Sequence, residues 1–234
     1  MKNKRVVALI PARQGSDRIK NKNLKKLCKK PLLYWTLVSA IKSKYIDEIY
    51  VSSDSKKILN YSKKLNVNTI KRPKKFSNSF ATRKHVINHT LNNLKKNNKS
   101  FDYLIYLQPT SPLRNKLHID NALRVVFKKK SLGLVSVKKE MDVSLWAFNI
   151  KSKKILRDNA KNKNFKKRSQ DLKKIYIPNG AIFIFNLNKL KNKNQFNAPI
   201  GFEIYEMDKI SSIDVDDEFD FKFAELMLSG RNYK

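Results

Sequence analysis

Three short stretches carry side chains suited to phosphate and metal chemistry. The first, residues 10–23, sets Arg13, Arg18, Lys20 and Lys22 around one glycine, Gly15, with Ser16 beside it. Several cationic donors on one loop suit a polyphosphate. A Lys-rich chain also makes basic loops that are merely solvated. The loop has neither the Gly-Lys-Ser/Thr ending of a P-loop nor the three glycines of a dinucleotide fingerprint. The second stretch, residues 107–114, reads Leu-Gln-Pro-Thr-Ser-Pro-Leu-Arg. Its two prolines stiffen the backbone, and the Gln108 carboxamide can both donate to and accept from a base or a sugar. The same residues also suit an ordinary tight turn. In the third, residues 211–216, an extended backbone points Asp214 and Asp216 the same way. Two carboxylates side by side repel each other unless neutralised. Mg²⁺ does this, taking one or two carboxylates plus substrate phosphate oxygens. The same acids also suit the N-terminus of a following helix, through its dipole. Both readings can hold together.

The chain has 234 residues, with 52 Lys plus Arg against 19 Asp plus Glu, a formal charge of +33. That length suits one large α/β domain, residues 1–234. Cys28 is the single cysteine, which excludes a disulfide scaffold and points to a reducing compartment. The longest uncharged run, residues 175–188, is shorter than the roughly 18 apolar residues of a membrane span. The apolar patch at residues 6–10 is shorter than the roughly 7–15 residue core of a signal peptide. The expectation is a cytoplasmic protein with no membrane partner. Only 10 of the 52 cationic residues are Arg, and they are dispersed along the chain. Arg is the better tool for reading phosphates and bases, so solvated Lys faces are expected and a nucleic-acid partner is not. The field still attracts small polyanions such as nucleotides.

Positioning these stretches requires a sheet. Strands are expected at residues 6–10, 49–52, 67–70, 103–107 (central), 134–137, 181–185 and 203–207. Helices are expected from Pro31, then over residues 55–65, 82–95, 115–129 and 217–229. The alternation predicts a mostly parallel sheet covered on both faces. Ligands in such folds bind beyond the carboxyl ends of the strands, where all three stretches fall. From residue 138 to 175 the alternation fails, apart from a strand signal at 146–150. That segment is expected to be an insertion outside the main sheet.

Taken in order, residues 10–24, 107–114, 178–185 (Pro-Asn-Gly-Ala-Ile-Phe-Ile-Phe) and 212–225 resemble the acylneuraminate cytidylyltransferases. These are the CMP-sialic acid synthetases and their relatives for legionaminic and pseudaminic acids. The resemblance implies a Rossmann-like three-layer α/β sandwich with a small dimerisation insertion at about residues 138–175, and a homodimer. It implies that CTP and a nonulosonic acid react to give a CMP-sugar and pyrophosphate; the alternatives are a cytidylyltransferase for 3-deoxy-octulosonate-type acids or another nucleotide-sugar nucleotidyltransferase and, more remotely, a non-enzymatic polyanion binder. By position, Arg13 and Lys22 would hold the CTP phosphates, with Ala12, Gly15, Ser16 and Asn23 beside them. Thr82 falls near the cytosine, Gln108 between nucleotide and sugar, and Asn179 at the ribose or substrate pocket. Asp214 and Asp216 would carry Mg²⁺. Arg168 stands one position from a family Arg that reaches the sugar, so either it does that work or the sugar differs; Phe183 and Phe196 suit walls of the sugar pocket, although aromatics more often belong to the core. The chain departs from the family at Asn78 or Ser79, where an Asp is usual, and at Ile177, where a basic residue is usual.

Overall fold

The computed structural model describes residues 4–16, 18–78, 80–142, 150–151, 154–155, 167–190, 193–197 and 200–230. Strand and helix alternate from the start: β1 (Val6–Pro11), β2 (Lys26–Leu27), β3 (Lys30–Pro31), α1 (Leu32–Ile41), β4 (Glu48–Ser53), α2 (Lys56–Lys63) and β5 (Asn68–Lys71). The middle of the chain forms α3 (Arg83–Lys96), β6 (Tyr103–Tyr106), α4 (Lys116–Lys129) and β7 (Gly133–Met141). The rest forms β8 (Ile150–Lys151), β9 (Lys154–Ile155), β10 (Lys174–Asn186), β11 (Glu203–Glu206) and α5 (Glu218–Gly230). Seven strands make one sheet in the order β11-β7-β10-β6-β1-β4-β5, so β6 is central as expected. β1 pairs in parallel with β4 and β6, β4 with β5, and β7 with β11. β10 alone runs against its neighbours β6 and β7.

The pleat of β1 explains the layers. Val6, Ala8 and Ile10 pack with Leu33 and Leu37 of α1, Ile58 of α2 and Leu123 of α4. Val7 and Leu9 turn to the other face, against Val86, Ile87 and Leu94 of α3. The five residues from Val6 to Ile10 are fully buried, which is why the strand reads as an unbroken apolar run instead of an alternating one. A third cluster binds the chemistry-bearing stretches together. Ile19 comes from the first, Leu113 from the second and Val215 from the third, and they pack with Leu32 and with Phe221, Ala224 and Leu228 of α5. Each such buried aliphatic side chain contributes about 1.5–3 kcal/mol.

Two expectations are corrected. Pro31 is the N-cap residue of α1, not its first turn, and pairs across the β2–β3 hairpin with Lys26. The segment 138–175 is not wholly outside the sheet. β7 runs on to Met141 and β10 begins at Lys174, paired from Lys174↔Met141 to Pro178↔Val137. This arm is solvated, so its strands need no apolar alternation. Ladder hydrogen bonds hold it, with an ion pair of 3.4 Å between Lys138 and Glu140. Of the strand signal at 146–150, residues 146–149 lie outside the described residues, and Ile150 pairs with Ile155 in the small β8–β9 hairpin.

Candidate active site

The carboxyl ends of β1 and β6 open onto one cavity of about 330 Å³. Arg13, Gly15, Ser16, Arg18, Lys22 and Asn23 line it from the loop after β1. Gln108 and Thr110 enter from the loop after β6, and Asp214 and Asp216 from the segment before α5. The reversed direction of β10 completes the set. Phe183 pairs with Tyr106, so the residues just before it extend past the end of β6. Gly180 there has φ +77°, and a Cβ on it would sit 3.4 Å from both Asp214 Oδ2 and Gln108 Oε1. A side chain at Gly180 would be strained and would crowd both groups.

Side chains and backbone hold the cationic loop in place. Gln14 N donates to Asp54 Oδ1 at 2.9 Å, and Asn23 Nδ2 to the Arg13 carbonyl at 2.8 Å. Lys22 Nζ donates to the Val215 carbonyl at 2.7 Å and lies 3.6 Å from Asp216 Oδ1. Arg18 lies 3.5 Å from Asp216 Oδ2. Val215 N donates to the Thr110 carbonyl at 2.7 Å, linking the second stretch to the third. No atom lies within 4 Å of where a Cβ would stand on Gly15, so the loop leaves open space there.

The two carboxylates differ in environment. Asp216 is half-exposed and already faces two cations. Burial raises the pKa of Asp214, and Asp216 and Asp220 push it further up against Thr110 and Lys22. Asp214 Oδ1 is buried with no hydrogen-bond partner. An orphaned carboxylate oxygen beside a second carboxylate fits a hard divalent cation. Among the described residues no cluster of three or more His, Cys, Asp or Glu side chains could hold a metal. Two protein carboxylates, with water and substrate oxygens completing the shell, match the habit of Mg²⁺.

Other expected residues lie elsewhere. Ala12 is fully buried and its N–H donates to the Ser52 carbonyl at 3.0 Å. Thr82 caps α3 at the surface, its N–H donating to His85 Nδ1 at 3.2 Å, while its neighbour Ala81 lines the cavity. Asn179 is 5% exposed: Ser136 Oγ and Ala181 N donate to its Oδ1, and its Nδ2 donates to Ser212 Oγ. Its amide is committed to holding the segment that carries Asp214. Phe183 packs edge-on to Tyr106 with the Arg83 guanidinium 3.6 Å above its ring, and Phe196 packs on Phe185. Both are core residues and do not line the cavity. Arg168 is exposed and paired at 2.9 Å with Asp171. Asn78 lines the cavity, Ile177 is exposed on the arm, and Ser79 lies outside the described residues.

The sequence reading missed Arg72 and Tyr106, which line the same cavity with Ala81 and Val86. Arg72 is 5% exposed, and its Nε and one terminal nitrogen have no hydrogen-bond partner. Its only sequence signal was a cation directly after a strand, one among 52 in this chain.

A family model described as cytidylyltransferase matches residues 7–215. The N-acylneuraminate cytidylyltransferase of Escherichia coli O18:K1:H7 is 31% identical, over 97% of this chain and 53% of that protein. The CMP-N,N'-diacetyllegionaminic acid synthase of Legionella pneumophila subsp. pneumophila is 32% identical, over 96% of each. Among solved structures, a CMP:2-keto-3-deoxy-manno-octonic acid synthetase complexed with CTP superposes with a TM-score of 0.69 at 14% identity, covering 97% of this chain and 99% of that one. The chain spans about half the length of the first curated relatives it matches. Among the described residues no helix is long and apolar enough to cross a membrane.

Proposed function

Because the chain belongs to the cytidylyltransferase family, we propose that it joins CTP to a nonulosonic acid, giving a CMP-sugar and pyrophosphate. The observation that carries this reading is the convergence of Arg13, Lys22, Gln108, Asp214 and Asp216 on one cavity. Arg13, Lys22, Ser16 and Asn23 hold the triphosphate. Asp214 and Asp216 hold Mg²⁺, which when bound neutralises phosphate charge as it develops. Gln108 orients nucleotide and sugar through its carboxamide. The base lies against Ala81 and Val86, where the unpartnered donors of Arg72 meet its ring acceptors. The anomeric hydroxyl oxygen attacks the α-phosphorus. The bond to the bridging oxygen breaks, pyrophosphate leaves, and the hydroxyl proton passes to solvent. Positioning and charge neutralisation supply most of the rate.

The reading extends to a homodimer formed through residues 138–175. The exposed Tyr176 and Ile177 on the adjoining arm support it. A cytoplasmic setting goes with a nucleotide substrate and one unpaired cysteine. The test is pyrophosphate release from CTP and Mg²⁺ with N-acetylneuraminic, legionaminic, pseudaminic and 3-deoxy-octulosonic acids. Release with one or more of the first three is expected. Release with the octulosonic acid alone would move the enzyme to that substrate class, and no release with any acid would overturn the reading.

A further inference from the structure

The stretch that begins with Gln108 ends in a residue the reaction above does not use. Arg114 is 1% exposed and is the largest fully buried side chain among the described residues. Burial pushes its pKa down to about 9, against the field of Asp214. A buried guanidinium is hard to keep unless its donors are placed.

Here the two terminal nitrogens are placed on the frame of the cavity, while Nε is left without a hydrogen-bond partner. One terminal nitrogen donates to the Gln108 carbonyl at 3.1 Å and to the Ala181 carbonyl at 2.8 Å. The other donates to Thr36 Oγ1 on α1 at 2.7 Å. Thr36 in turn lies 3.3 Å from the Gln108 carbonyl, and Ser39 Oγ donates to the Arg114 carbonyl at 2.9 Å. Ala181 follows Gly180, the residue set against Gln108 Oε1 and Asp214 Oδ2. One rigid planar fork therefore joins α1, the loop after β6 and the irregular stretch of β10 that carries Gly180. Among the described residues, no side chain or carbonyl of the cationic loop is a hydrogen-bond partner of this guanidinium.

We infer that Arg114 is a positioning residue, whose fork sets the Gln108 carboxamide for turnover while leaving the CTP phosphates to the loop after β1 and the base to the wall that holds Arg72. The inference rests on the cytidylyltransferase reading. Lys keeps a positive charge at this position but cannot bridge three acceptors in one plane. A displacement of about 1 Å at a reacting group costs on the order of 10²-fold in rate.

The experiment is a double-mutant cycle of Arg114→Lys with Gln108→Ala, measuring kcat, KM and equilibrium CTP binding. Arg114→Lys should bind CTP within about twofold of the parent and lose on the order of 10²-fold in kcat. In the Gln108→Ala background it should cost less than about threefold, because its target side chain is gone. Multiplying effects, or parallel losses of CTP binding and kcat, would overturn the inference. Thr36→Val removes one acceptor of the same fork and serves if Arg114→Lys does not fold. It should lower kcat with CTP binding retained and be equally non-additive with Gln108→Ala, and additivity there would again overturn it. A parent enzyme inactive with every sugar acid refutes the functional reading itself, and this inference with it.

Discussion

Replacing Arg72 with Met should move two properties of the protein in opposite directions. In the ligand-free protein the guanidinium is buried, and two of its nitrogens lack hydrogen-bond partners. Burial pulls its pKa down, with Tyr106 and Asp54 opposing and Arg13 adding to the fall. Exchanging a poorly compensated buried charge for an apolar side chain of similar volume stabilises by about 1–4 kcal/mol. At this chain length that raises Tm by about 2–16 °C. With CTP bound the balance reverses. Each charge-assisted hydrogen bond lost costs about 1.5–3 kcal/mol, so losing two weakens binding by at least about 10²-fold. At a CTP concentration 100 times the parent Kd, the ligand stabilises the parent by about 2.7 kcal/mol but the variant by about 0.4 kcal/mol. Thermal unfolding with and without CTP measures both effects. A ligand-free Tm that falls, together with a CTP-induced shift equal to that of the parent, would show that the guanidinium is satisfied within the protein and would refute the reasoning.

Asp216→Asn should abolish at least 10²-fold of the turnover, as expected for loss of preorganised charge stabilisation. Its half-exposed pairs with Arg18 and Lys22 contribute under about 1 kcal/mol, so Tm should hardly change. An active Asp216→Asn enzyme in the pyrophosphate assay would remove the metal assignment. Glu48 supplies the pH prediction. Burial raises its pKa, but hydrogen bonds from Lys99 at 2.5 Å and Tyr50 at 2.8 Å, with the charges of Lys99 and Arg5, bring it net below the ordinary value. Its stabilisation is full above the unfolded carboxylate pKa, near 4.3, and is lost as pH falls through the lower folded value. Glu48→Gln should therefore flatten the acid limb of the unfolding midpoint below about pH 5, and an unchanged limb would exclude the contribution.

Periodicity in the sequence determined most of the frame. Fully buried β1 reads as an apolar run, and α3 and α4 show their core faces at helical spacing, because burial on a fixed face dictates residue type at fixed intervals. The cationic loop, Gln108 and the Asp214–Asp216 pair were legible for a related reason: each is dense in one kind of chemistry and follows a strand end. The charged arm at 138–141 and 174–177 was not, since backbone hydrogen bonds hold it and place no demand on side-chain polarity. Only the tertiary structure decided which polar residues face the cavity. Asn179 and Arg72 show the difference. Asn179 is drawn into a buried network with Ser136 and Ser212, while Arg72 is left against the cavity with donors unmet. Neither outcome is local, because what a polar group does is set by the partners that distant segments bring to it. The reversal of β10 carries Gly180 to Gln108 and Asp214, and a cluster of Ile19, Leu113 and Val215 gathers the three stretches. Those contacts join residues 34 to 196 positions apart, which no spacing along the chain encodes.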